Sequence, residues 1–177
     1  MPRLIFGVAT YNSEKTLPKC LESISPHADR IIVVDGRFRG REGVTVCSTD
    51  HTRIIAIHSG CEVIRAGGLP QHEQRDLYLL GRQGDFYFVV DSDEVLEGKF
   101  DKQAILNGPH NCYALWIRNP QGIYPSATMT LRVYRHIGEK PSHNEGQLLK
   151  DGYGQLMDAT YQGYTFTDDF WLQHLKS

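Results

Sequence analysis

The first half of the chain alternates between short apolar runs and stretches with one apolar face. Leu4-Ile5-Phe6-Gly7-Val8-Ala9, Ile31-Ile32-Val33-Val34 and Phe86-Tyr87-Phe88-Val89-Val90 are continuous apolar runs bounded by polar residues. Runs of this length, rich in β-branched and aromatic residues, read as strands buried on both faces. Cys61-Glu62-Val63-Ile64-Arg65 reads as a shorter strand. Between the first two runs, residues 14–24 place Leu17, Leu21 and Ile24 on one helical face. Ser13 suits the N-cap of that helix and Pro26 stops it. A second helix opens at Ser48-Thr49-Asp50-His51-Thr52, carries Ile54, Ile55 and Ile57, and ends at Gly60. A third is expected over residues 71–82, with Tyr78, Leu77 and Leu80 turned to the sheet. Strand and helix in alternation predict parallel pairing with right-handed crossovers.

The texture changes after residue 98. Residues 100–106 read as a short helix closed by Asn107-Gly108-Pro109. Residues 112–117 and 128–134 read as strands, and a short helix is expected over 167–175. The expected fold class is therefore α/β. It has a Rossmann-like, mostly parallel central sheet flanked by helices, and a mixed or antiparallel C-terminal part. A chain of 177 residues suits one domain with a real core, here divided into a first part, 1–98, and a second, 99–177.

Composition narrows the function classes. A net charge of −2 leaves no basic footprint for nucleic acid. No apolar run approaches the roughly 20 residues of a membrane span, so no transmembrane segment is expected. The N-terminus runs straight into a strand, which argues against a secretory signal. Cys20, Cys47, Cys61 and Cys112 lack C-x-x-C spacing and read as thiols of a reducing compartment. A cytoplasmic location is expected, at the membrane surface where an acceptor is lipid-linked.

The run at 86–90 stops at Asp91-Ser92-Asp93-Glu94, three carboxylates in four residues. Carboxylates this close repel unless a positive charge lies among them. A divalent metal fits, because Mg²⁺ and Mn²⁺ bind through one or two carboxylates plus substrate phosphates. Thr10 and Asp35 end two other strands, so polar residues converge on one sheet edge, where open α/β sheets bind ligands.

Val8 to Glu14, Val33-Val34-Asp35, Ser48 to Thr52, Gln74-Arg75 and Val90 to Glu94, in this order, resemble the family 2 glycosyltransferases with the GT-A fold. The resemblance covers residues 3–98. It implies a metal-dependent, inverting transfer of a sugar from a nucleotide-sugar, a UDP-sugar above others, to a hydroxyl of a glycan or lipid-linked acceptor. Thr10, Tyr11, Asn12 and Glu14 would then lie against base and ribose, Asp35 would bond one of these, and Arg75 would reach ribose or diphosphate. Asp91-Ser92-Asp93 would be the D-x-D motif holding the donor through Mn²⁺ or Mg²⁺. Arg132 and Arg135, with Ser142-His143-Asn144-Glu145, resemble the R-x-x-R segment and His-Glu pair of some members. His143 becomes a candidate metal ligand and Glu145 the favoured base, with Glu139, Asp168 and Asp169 as the other acids considered.

Simpler readings stand beside these. Tyr11 also suits the core, Asp50 a helix cap, and Arg75 a solvated charge. Arg37, Arg39 and Arg41 suit either a phosphate-gripping loop or a solvated one. Trp116 and Trp171 read as core, and His174 reads as lying away from the site. Two other functions compete. A sugar-phosphate nucleotidyltransferase would carry a Gly-rich, basic loop after the first strand, and Thr10-Tyr11-Asn12-Ser13 is not one. A non-catalytic nucleotide-sugar binder would keep Asp91 and Asp93 without the base.

Overall fold

The computed structural model describes residues 1–38, 46–118, 128–137, 142–143, 149–150, 164–166 and 169–175. The elements run β1 (Leu4–Thr10), α1 (Leu17–Ile24), β2 (Arg30–Asp35), α2 (Thr52–His58), β3 (Glu62–Arg65), α3 (Gln71–Asp76) and β4 (Phe86–Asp91). There follow β5 (Glu94–Gly98), α4 (Lys102–Asn107), β6 (Cys112–Arg118), β7 (Thr128–Arg135), β8 (Ser142–His143), β9 (Leu149–Lys150), β10 (Tyr164–Phe166) and β11 (Phe170–His174). One sheet takes the order β3-β2-β1-β4-β7-β6-β11-β5, with β10 beside β6, and β8 and β9 pair separately.

β3, β2, β1 and β4 are parallel to one another. β7 is antiparallel to both β4 and β6, and β11 is parallel to β6. The carboxyl ends of β1, β2, β4, β6 and β11 therefore share one edge. This bears out parallel pairing for β1 to β4 and mixed pairing beyond them, while β5, still within residues 1–98, pairs antiparallel with β11.

Side chains alternate across a strand, and the core divides accordingly. Leu4, Phe6 and Val8 pack with Leu17, Leu21, Ile24, Phe88 and Val90 on one face. Ile5, Ala9, Ile32, Val34, Tyr87 and Val89 pack with Tyr78 and Leu79 on the other. Gly7 lies on the second face, where a Cβ would collide with the Tyr78 ring. Glycine there lets Tyr78 lie directly on the sheet.

Three expectations are corrected. The third helix ends at Asp76 rather than 82, and the chain continues through turns from Leu77, Tyr78 and Leu79 N–H to the carbonyls three residues back. Those turns send Tyr78 onto Gly7 and leave Leu80 exposed. Residues 94–98, to which no element was assigned, form β5. Residues 170–174 form a strand, not a helix, because β11 pairs antiparallel with β5, Phe170 against Gly98 and His174 against Glu94. Phe170 and Leu172 enter the core at period two, and Phe170 meets Phe100 and Phe88 at ring separations of 4.7 and 6.4 Å. Trp171, on the other face of β11, is only half-buried, with the Arg118 guanidinium 3.9 Å over its ring.

All four cysteines are thiols, as expected. Among the described residues no helix is long and apolar enough to cross a membrane.

Candidate active site

A cavity of about 710 Å³ opens at the shared carboxyl edge. Its wall includes Thr10, Tyr11, Asn12, Glu14, Arg37, Arg75, Asp91, Asp93 and His174. β1 supplies the floor. Its pairing sets Thr10 beside Asp35 on one side and Ala9 beside Asp91 on the other.

The segment after β1 is held by a clamp to residues 48–52. Asn12 N–H donates to Ser48 Oγ at 2.8 Å, and Asn12 Oδ1 accepts from Thr49 N–H at 2.9 Å. Ser13 N–H donates to Thr52 Oγ1 at 2.7 Å and Glu14 N–H to Asp50 Oδ2 at 3.1 Å. His51 N–H returns a bond to Glu14 Oε2 at 3.2 Å. Asn12 sits at φ 48°, a left-handed conformation that asparagine tolerates better than most residues. Asp50 also accepts from Thr52 N–H. The N-cap position of α2 is His51, however, which makes no side-chain cap bond. Asp50 is therefore a brace between this turn and Glu14 rather than the helix cap that its type suggested. Ser13 is not the side-chain cap of α1. Its carbonyl accepts from Thr16 and Leu17 N–H, while its hydroxyl shares a bond with Ser92 Oγ at 2.8 Å.

Asp35 is buried (1% exposed) below the cavity rather than on its wall. Its Oδ1 accepts from the Ser48 hydroxyl, which anchors the clamp to β2, while Oδ2 is buried without a hydrogen-bond partner among the described residues.

On the other side of β1 lies an ionic network. Arg75 Nη2 donates to Asp91 Oδ1 at 2.8 Å. Arg132 Nη2 donates to Glu94 Oε1 at 2.8 Å and lies 3.7 Å from Asp91 Oδ2. Burial opposes the charge on Asp91, but the guanidiniums of Arg132 and Arg75 outweigh it and hold the carboxyl below the usual range. Burial pushes Glu94 above that range despite Arg132. Asp91 is thus neutralised by two arginines, whereas Asp93 is half-exposed. Arg75 is no solvated helix charge, its side chain being 14% exposed.

His174 was expected away from the site, and the structure brings it there. Its Nδ1 lies 3.7 Å from Asp93 Oδ2, and its Nε2 lies 3.6 Å from Glu94 Oε1. The Leu175 N–H donates to the Asp93 carbonyl at 2.6 Å and fastens the end of β11 to the 91–94 turn. The signal for it was present: Phe170, Leu172 and His174 recur at period two on one strand face.

The R-x-x-R pair divides. Arg132 reaches the site, while Arg135 pairs with Phe86 at the opposite end of β4. Asp169 stands at the amino end of β11, about 16 Å along the strand from His174. The backbone of His143 lies in β8, next to α3, but its side chain is outside the described residues. Glu145, Glu139, Asp168, Arg39 and Arg41 also lie outside them. Among the described residues no group of three or more His, Cys, Asp or Glu side chains is arranged to hold a metal.

No family model matches the chain, and no curated protein matches it. Solved structures do. S. aureus TarS is 18% identical, at TM-score 0.60, over 99% of this chain and 37% of that one. TarS 1-349 in complex with UDP is 21% identical, at TM-score 0.50, over 75% and 46%. Glucosyl-3-phosphoglycerate synthase from Mycobacterium tuberculosis, with Mn²⁺ and UDP, is 22% identical over 68% and 45%, at TM-score 0.47. The chain spans less than half the length of these structures. The neighbours are glycosyltransferases of GT-A type, and at this identity the likeness carries the fold alone.

Proposed function

We propose that the chain is the donor-binding part of a metal-dependent, inverting glycosyltransferase of hexosyltransferase type. It would take a UDP-sugar and pass the sugar to a hydroxyl of a glycan or lipid-linked acceptor. One observation carries the reading. Asp93, from the middle of the chain, and His174, from near its carboxyl end, meet on the wall of a cavity that also presents Arg75, Arg37 and Asp91. The cavity volume falls within the roughly 300–1,000 Å³ typical of small-molecule sites. The UDP bound in S. aureus TarS 1-349 favours a uracil nucleotide.

The residues fit a divalent cation. On an octahedral ion with ligands at about 2.1 Å, two neighbouring donors stand about 3 Å apart, so Asp93 Oδ2 and His174 Nδ1, now 3.7 Å apart, would close by less than about 1 Å to share one. A two-donor site leaves room for diphosphate oxygens, the usual habit of Mg²⁺ and Mn²⁺. When bound, the cation supplies positive charge against the leaving diphosphate. The roles within D-x-D then differ. Asp93 would hold the cation with His174, while Asp91 fixes Arg75 at the cavity wall. Ser92 ties the turn to Ser13. The clamp would hold Tyr11, Asn12 and Glu14 in place to receive base and ribose, with Thr10 beneath. Asp35, beneath the wall, would act through Ser48.

In the transfer, the anomeric carbon–oxygen bond to the diphosphate breaks as the acceptor oxygen bonds the same carbon from the far side. The acceptor proton passes to a carboxylate. Glu145 remains the proposed base and His143 a proposed accessory ligand. Asp169 is disfavoured by its distance from His174. The test is release of UDP from a panel of UDP- and GDP-sugars with hydroxyl acceptors. Turnover with UDP-sugars supports the reading, and binding without turnover across the panel favours a non-catalytic binder.

A further inference from the structure

Glu94 is wholly enclosed (0% exposed), and its two oxygens do different things. Oε2 accepts the Asp91 backbone N–H at 2.8 Å and so closes the 91–94 turn. Oε1 accepts from Arg132 and also faces His174 Nε2 at 3.6 Å. The imidazole stands between two carboxylates, with Nε2 toward Glu94 and Nδ1 toward Asp93. Both nitrogens face a carboxylate at similar distance, but Asp93 is half-exposed and screened by water, whereas Glu94 is enclosed and little screened. The Glu94 oxygen therefore wins and favours the proton on Nε2. Nδ1 then carries the lone pair, on the side where Asp93 lines the cavity.

We propose that Glu94 is a positioning residue for the candidate cation site. It orients His174, selects the tautomer with hydrogen on Nε2, and fixes the turn that carries Asp93. A ligating histidine that hands its second N–H to a carboxylate is a recurrent arrangement, and loss of the outer partner costs about 10–100-fold in metal affinity. The inference rests on the reading of Asp93 and His174 as the cation-holding pair. Glu94 would otherwise serve only to neutralise Arg132 in the core, and the two roles separate by experiment.

Mn²⁺ affinity is measured by calorimetry on the full chain with saturating UDP. The His174 tautomer is read from ¹⁵N shifts of the metal-free chain, with His174→Ala assigning the signal. The wild type should show hydrogen on Nε2. Glu94→Gln should shift His174 toward a mixture of tautomers and weaken Mn²⁺ binding about 10–100-fold. In a His174→Ala background the same change should weaken Mn²⁺ less than about threefold, since no imidazole remains to be oriented and the glutamine amide oxygen can still accept the Asp91 N–H that closes the turn. Glu94→Gln with Arg132→Met removes both charges of the buried pair and guards against loss of folding. It should still bind Mn²⁺ weakly. Recovery of wild-type affinity in that double variant, or an unchanged tautomer in Glu94→Gln, overturns the positioning role. Mn²⁺ affinity that is unchanged in His174→Ala overturns the cation pair itself, a separate failure, and the positioning role with it.

Discussion

His174 Nδ1 and Asp93 Oδ2 lie 3.7 Å apart because β11 pairs with β5 in a register that sets His174 opposite Glu94. The site is thus built by a strand pair, and its accuracy depends on residues away from the cavity. Gly98, at the far end of β5, sits opposite Phe170 at φ 95°, and a Cβ there would collide with the Asp169 carbonyl. Gly98→Ala combines a left-handed penalty of about 1–2 kcal/mol with overpacking. It should lower stability by about 2–4 kcal/mol in urea titrations and weaken Mn²⁺ binding without touching the cavity. Unchanged stability would show that the strand ends there are free to move.

Asn12 makes a sharper test of the clamp. It contributes a left-handed backbone and an acceptor for Thr49 N–H. Asn12→Gly keeps the backbone and loses one bond, at about 1 kcal/mol. Asn12→Ala loses the bond and adds strain, so it should be less stable than the glycine variant by about 1 kcal/mol. Both should weaken UDP binding, as followed by calorimetry, because Tyr11 and Glu14 lose their support.

Asp85 governs acid stability at the opposite edge. Its side chain, 3% exposed, accepts from Arg3 N–H, Nε and Nη2 and from Arg82 N–H. Burial opposes its charge, but Arg3 and these N–H groups hold the carboxyl below its ordinary value. The unfolded chain, with a value near 3.9, therefore binds the proton more readily. The stabilisation is fully present above about pH 5 and is lost as pH falls through the folded value. Asp85→Asn should cost about 1–3 kcal/mol at pH 7, and the gap to the wild type should shrink in melts near pH 3.

The part of the fold legible in the sequence is the part where local pattern and burial agree. β1, β2 and β4 are buried on both faces, so their apolar runs announced them. Their carboxyl ends announced an edge carrying Thr10, Asp35 and Asp91. What escaped depends on tertiary pairing. Glu94-Val95-Leu96-Glu97 and Phe170-Trp171-Leu172-Gln173-His174 are strands through their pairing with each other and, for the second, with β6, and neither segment has an apolar run longer than three residues. Reading 167–175 as a helix hid the strand register that carries His174 to Asp93, and sequence spacing does not show that Asp91 is the acid that meets Arg75 and Arg132. The role of Ser48 to Thr52 was likewise hidden, since hydrogen bonds to Asn12, Ser13 and Glu14 span more than thirty residues.

The central claim is that Asp93 and His174 together hold a divalent cation under a nucleotide diphosphate. Thermal melts of the wild type, Asp93→Ala and His174→Ala, each with UDP alone and with UDP plus Mn²⁺, test it most directly. The wild type should melt higher with UDP and Mn²⁺ together than with UDP alone, and both variants should lose that increment. An undiminished Mn²⁺ increment in either variant would contradict the account.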